Sequence, residues 1–293
     1  MAAPAPTPPR LKPSPIPDAA WLLKVLEERL ATLKRRFKSA VHSPGPEFLR
    51  KLRVAARRVK IVAELASALL HDPAFSDLAA QLRALIKYLG PVRDAAMLPG
   101  LLEEWAGRHP ILLTLKPARA GNGLKRVPSH LRASRRTVMA LVIRARKRLK
   151  TVAKSADYAR WLHEHSLRLW RRAFVRLEQA RQELDPSKIK SIHQYRLRWK
   201  ALRYLAEVLS EGPGLFSARE LRRMQQVQTV LGAIQDSSVL LDFLMAAQKA
   251  EPRKEAKAAL AAVLRAVERH QAGLVTRFLE RNAEIWNFWQ SPH

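Results

Sequence analysis

Hydrophobic positions along this chain recur at steps of three and four, the period of helices that each bury one face. Leu22, Val25, Leu26, Leu30, Leu33 and Phe37 share one side of a segment over about 18–41, with Asp18 as its expected N-cap. Ser43-Pro44-Gly45-Pro46 interrupts the pattern and opens a second helix, about 46–71, which Asp72-Pro73 ends. A third segment, 75–89, is expected to bend at Gly90-Pro91 and continue to about Trp105. Gly107, Pro110, Pro117, Gly121, Gly123 and Pro128 predict an irregular connection over 107–129. Ser129 is then expected to cap a helix running to about 153, with Leu131, Val138, Leu141, Val142, Ala145 and Leu149 inward. The plan repeats in the second half. Its helices are expected at about 157–184, from Asp185-Pro186-Ser187 to Gly212-Pro213-Gly214, from 217 through a bend near Gly232 to about 249, and over about 252–287. The last leads into Trp286, Phe288 and Trp289, which read as an apolar cap on the bundle. No stretch alternates with period two, so the fold class is all-α: two antiparallel four-helix bundles, 18–155 and 156–293, behind a proline-rich tail at 1–17 expected to be disordered.

Two of these helices carry a second pattern. His193, Arg196, Lys200 and Arg203 fall at steps of three, four and three, a narrow stripe at roughly 100° per residue. Ile192, Tyr195, Trp199, Leu202 and Ala206 form the apolar stripe beside it, so the cations are expected in a groove between packed helices. Arg50, Arg53, Arg57 and Lys60 have the same spacing at a constant offset of 143 residues (193 − 50, 203 − 60). Leu89-Gly90-Pro91-Val92-Arg93-Asp94 also matches Leu231-Gly232-Ala233-Ile234-Gln235-Asp236 at an offset of 142 (236 − 94). Two matched blocks in one order argue for a duplicated architecture. Asp94 and Asp236, each after a glycine, are expected to cap a helix turn or to orient a basic side chain. Two carboxylates cannot neutralise eight cationic positions, so the surplus calls for an external anion. Arg29, Arg36, Arg135, Arg146, Arg168 and Arg172 are secondary candidates for that anion.

His-x-x-Arg-x-x-x-Lys-x-x-Arg on a helix, followed by Leu-Gly-x-x-x-Asp, and both repeated, resembles the CHAD domain, the conserved histidine α-helical domain. The resemblance covers nearly everything after the tail. It implies two pseudo-symmetric bundles around a central basic channel that binds inorganic polyphosphate. Arg50 stands where the family's first histidine is expected. That departure weighs against a metal or a phosphoryl group shared by paired histidines. It keeps anion binding, since a guanidinium fork grips phosphate oxygens well.

Charge sharpens this picture. Lys and Arg number 54 against 25 Asp and Glu, a net charge of +29 that favours anionic partners strongly. A chain of phosphates without bases needs only cations. Nucleic-acid binders of this kind usually interleave exposed aromatics, and Tyr195 and Trp199 are expected in the core. Phosphoryl transfer requires acidic metal ligands or a glycine loop around phosphate. Glu27-Glu28 and Glu103-Glu104 are merely adjacent pairs, and the chain has only 10 glycines. His42, His71, His109, His130, His163, His165 and His270 lack counterparts in the other half and read as surface or interhelical residues. The expectation is therefore a non-catalytic polyphosphate-binding module, without cofactor or metal, directed to polyphosphate granules. A helical RNA- or DNA-binding protein is the alternative, and a polyphosphate-cleaving enzyme the third reading. The absence of cysteine excludes disulfides and cysteine-ligated zinc and fits a cytoplasmic location. No apolar run is expected to be long enough for a membrane span.

Overall fold

The computed structural model describes residues 20–115, 121–154, 156–212 and 214–290, with the side chains of 92–96, 121–125, 156, 157, 288 and 290 outside that description. The proline-rich tail, Asp18 and the side chains of Asp94 and Phe288 therefore lie outside the described residues. Among the described residues there are eight α-helices, a short 3-10 helix at Pro110–Thr114 and no strand. The helices are α1 (Trp21–His42), α2 (Pro46–Leu70), α3 (Pro73–Ala106), α4 (Gly121–Val152), α5 (Ala156–Gln182), α6 (Ile189–Glu211), α7 (Ala218–Ala250) and α8 (Lys254–Gln290).

Their ends follow local chemistry. Pro46 and Pro73 occupy first-turn positions, where a missing N–H costs nothing. Asp72 caps α3 by accepting from the Ala74 amide at 2.9 Å. His71 adopts a left-handed φ of 51° to close α2. Ser217 and Glu220 form a reciprocal capping box at the start of α7.

As expected, α3 and α7 run on through Gly90 and Gly232, and α3 contains Pro91 and Pro99. Two expectations need correction. The last nine positions of the predicted irregular stretch, 121–129, are helical, because α4 begins at Gly121 and passes through Pro128. Ser129 is consequently inside α4, its hydroxyl donating to the Arg126 carbonyl at 2.9 Å. Val127 and Leu131 are fully buried there, and this packing outweighs the loop preference of the glycines and proline. Finally, α7 does contain an 18-residue window of mean hydropathy 1.4, enough in length and composition to cross a membrane. The same helix carries Gln235, Asp236 and Asp242 and buries Leu231, Ile234, Leu240 and Leu244 against its neighbours.

In the first bundle α2 and α4 lie on one diagonal, each packed against both α1 and α3. In the second, α5 pairs with α6, α6 with α7 and α7 with α8. Aromatic rings close it: Phe174 of α5 lies 5.1 Å from the ring of Trp286 and 5.8 Å from that of Trp289. Trp199 of α6 stacks on Trp289 at 5.8 Å. Those tryptophans form the apolar cap expected of them. A buried polar thread crosses this core, where the Tyr195 hydroxyl donates to Asn282 and Trp286 donates to the Tyr195 oxygen at 3.2 Å. The halves touch through α2 with α5 and α6, α1 with α6, and α3 with α7. One hydrophobic core runs through both, and a smaller one joins the end of α3 and the 3-10 helix to α7 and α8.

Candidate anion-binding site

The two helices with cationic stripes, α2 and α6, pack directly against each other. Their apolar faces fix the direction of the stripes. Leu49, Leu52, Ala56 and Val59 are buried on α2, as are Ile192, Tyr195, Trp199 and Leu202 on α6. Beside them Arg53, Arg57, Lys60, His193, Arg196 and Lys200 are half-buried, Arg203 is buried and Arg50 is exposed. The stripes converge on the buried ring of Tyr204, with the Arg57 guanidinium 5.8 Å and the Arg203 guanidinium 4.4 Å from its centroid.

Carboxylates lie closer to these cations than the sequence suggested. Glu47 takes Arg50 at 2.7 Å and Lys51 at 3.1 Å, and these two hydrogen bonds, Arg50 first, hold its carboxyl down to about 2. Glu64 takes Lys60 at 2.5 Å and Arg83 at 2.9 Å. Glu207 takes Arg203 at 2.5 Å from its own helix and Arg58 at 3.2 Å from α2. Asp94 and Asp236 are therefore not the only acids serving the eight predicted positions. Yet each of the three glutamates is shared by two cations, so pairing spreads the positive charge without cancelling it.

Other contacts set individual side chains. The Arg203 Nε donates to Gln228 at 2.7 Å. The His193 Nδ1 lies 2.6 Å from Gln235 Oε1, so its hydrogen sits on Nδ1 and the neutral ring presents Nε2 as an acceptor. Donation from Nε2 to a phosphate oxygen then requires the doubly protonated ring. Gly90 has a specific use: a Cβ there would stand 3.3 Å from Arg53 Nη1, so glycine lets this guanidinium lie against α3. Gly232 faces open space, and the two halves differ at this point. Asp94 and Asp236 are both in helix interiors, so neither caps a helix start.

A family model for the CHAD domain matches residues 24–245, which span both stripes and both Leu-Gly motifs. The chain belongs to the CHAD domain family. Solved structures that share its fold include PptA from Streptomyces chartreusis, with a TM-score of 0.56 and 20% identity over 92% of this chain and 99% of that one, and the CHAD domain from the plant Ricinus communis, with a TM-score of 0.51 and 20% identity over 93% and 97%. No curated protein matches the chain in sequence.

This CHAD domain does not gather the secondary candidates around the stripes. Arg29 is buried and braces the halves, donating to Glu211 at 2.7 Å and to the Arg58 carbonyl at 3.2 Å. Arg146 pairs with Glu27 at 2.6 Å beside a shallow hollow of about 230 Å³ between α1 and α4. Arg36 is half-buried, while Arg135, Arg168 and Arg172 point outward from α4 and α5. Among the described residues no three of His, Cys, Asp and Glu group closely enough to hold a metal ion. His130, exposed on α4, stacks on half-buried Tyr88 at 3.6 Å, and half-buried His165 stacks on Trp161 at 4.1 Å. Glu64 and Glu207 went unnoticed in the sequence although a signal was present. Each follows its stripe's last cation by four residues, and they are themselves 143 residues apart (207 − 64).

Proposed function

We propose that this CHAD domain binds inorganic polyphosphate without cleaving it, along the seam where α2 and α6 meet. The observation that carries the reading is that Glu47, Glu64 and Glu207 each meet one stripe cation (Arg50, Lys60 or Arg203) and also a second cation outside the stripes (Lys51, Arg83 or Arg58). Partly buried positive charge in excess of its carboxylates is costly, and a linear polyanion relieves it at every turn of both helices. The Arg forks grip phosphate oxygens in pairs and the lysines act as point charges. Tyr195, Trp199 and Tyr204 are all buried, which leaves the seam no stacking platform for bases and favours a uniform phosphate chain over a nucleic acid. The non-catalytic part of the reading rests on the engagement of His193 with Gln235 and of each glutamate with cations. In a cell the domain would tether its protein to cytoplasmic polyphosphate deposits.

Competition binding tests the choice of ligand. Long-chain polyphosphate should displace labelled RNA at far lower phosphate concentration, and the reverse order would overturn the proposal. Phosphate released from polyphosphate with Mg²⁺ or Mn²⁺ present would overturn the non-catalytic part.

A further inference from the structure

The helix α4 holds ten Lys and Arg, no Asp or Glu, and no Phe, Tyr or Trp. Two of its cations are tied to neighbours, Arg146 to Glu27 and Arg148 to Asp72 at 3.0 Å. The rest are differently placed. Leu131, Val138, Val142, Ala145 and Leu149 face the core, and Arg132, Arg136, Lys147 and Lys150 are exposed on the opposite side. At 100° per residue these four cations fall within about 60° of one another. Their row runs roughly 27 Å along the axis, from the 1.5 Å rise per residue. None of the four side chains has a hydrogen bond or ion pair among the described residues.

Topology separates this row from the seam. Because α2 and α4 are diagonal partners, the outward face of α4 looks away from the side on which α2 meets α6. With helix axes about 8–10 Å apart, a route around the bundle between the two surfaces is on the order of 30 Å. That route passes α1, whose Lys34, Arg35 and Lys38 are exposed.

We infer that the outer face of α4 is a second polyphosphate contact, engaged only by chains long enough to occupy the α2–α6 seam and wrap the first bundle. This rests on the proposed function and adds a chain-length preference to it. Charge complementarity selects a polyanion. Among the described residues the only large apolar side chain exposed on the helix is Ile143, at 68%, and with no aromatic residue in α4 the face offers bases no stacking surface and a bilayer almost nothing to insert. A narrow, unbranched phosphate chain needs neither. The second contact is intramolecular once the first is made, so its gain appears as effective concentration.

The test compares a short oligophosphate with long-chain polyphosphate, using the full chain and the variant R132Q/R136Q/K147Q/K150Q. Glutamine keeps helix propensity at these exposed positions, and circular dichroism checks the fold. The variant should bind the short ligand within about threefold of the parent, but lose about a hundredfold on the long one. Its log K against log salt slope for the long chain should fall by about 3, at about 0.7 per lost contact on a flexible strand. The charge-conserving R132K/R136K/K147R/K150R should retain the long-chain advantage. Equal parental affinity for both lengths, or an undiminished long-chain advantage in the glutamine variant, overturns the inference. So does a folded variant that has lost the short ligand too, since α4 would then belong to the first site. Loss of duplex RNA binding or of anionic-vesicle binding, with long-chain affinity intact, overturns it by assigning the face elsewhere. A parent that binds neither length defeats the proposed function itself.

Discussion

Glu207→Gln should make the protein less stable and a better ligand binder at once. The Glu207 side chain is 12% exposed and the Arg203 side chain 7%, and Glu207 also reaches Arg58 across the halves. Glutamine preserves the shape and one acceptor oxygen but removes the charge. Exchanging a charge-assisted bond for a neutral one costs about 1–1.5 kcal/mol. Arg203 keeps Gln228 and the Tyr204 ring, so its buried charge is only partly uncompensated. The total comes to about 2 kcal/mol, below the roughly 3–5 kcal/mol of a buried pair broken outright. In a chain of this size that is about 5 °C of melting temperature. Binding moves the other way. A carboxylate about 7 Å from a bound phosphate, in a water-like dielectric, opposes it by ~0.6 kcal/mol, about threefold in Kd. Denaturant melts and polyphosphate titrations at one salt concentration read both quantities. If Glu207→Gln weakens binding while folded, Glu207 organises the site instead of opposing its ligand, and the charge-excess reasoning fails.

Arg53→Ala with Arg196→Ala should weaken polyphosphate binding by about 3 kcal/mol with the helices intact by circular dichroism; unchanged affinity would place the ligand elsewhere. A Cβ at Gly212 would run into the Trp21 ring, so Gly212→Ala should cost about 1–3 kcal/mol in urea unfolding. An unaltered midpoint would show that Trp21 yields freely. Glu47 has its carboxyl lowered from 4.5 to about 2, so its ion pairs contribute above pH 4.5 and are lost as the pH falls towards 2. Because its side chain is 53% exposed, that contribution is at most ~1 kcal/mol. Stability against pH for Glu47→Gln should therefore lie slightly below the parent at neutral pH and merge with it near pH 2; a constant gap would refute this assignment.

The helices were legible where periodicity and punctuation agreed. Pro46 marks a helix start in both sequence and structure, Asp72-Pro73 marks the boundary between α2 and α3 in both, and the duplication was visible because its two copies kept their spacing. Punctuation misled where packing overrode it. Gly121 to Pro128 reads as loop, yet buried Val127 and Leu131 hold it helical. The stripes were legible as periodic charge. Their pairing was harder to see, because Arg58 meets Glu207, and Arg83 meets Glu64, only when separate helices come together. The partner of Arg29 was hidden for the same reason: its ion pair is with Glu211, 182 residues away.

The contact between Trp21 and Gly212 joins the opening turn of the first copy to the closing end of α6 in the second. With Arg29 anchored on Glu211 nearby, the duplicated units have surrendered their autonomy. A fragment ending near residue 155 would leave Trp21 without its cover and Arg29 without its acid. Divergence in such a pair is thereby constrained: a change to the last turn of α6 is also a change to the foundation of α1.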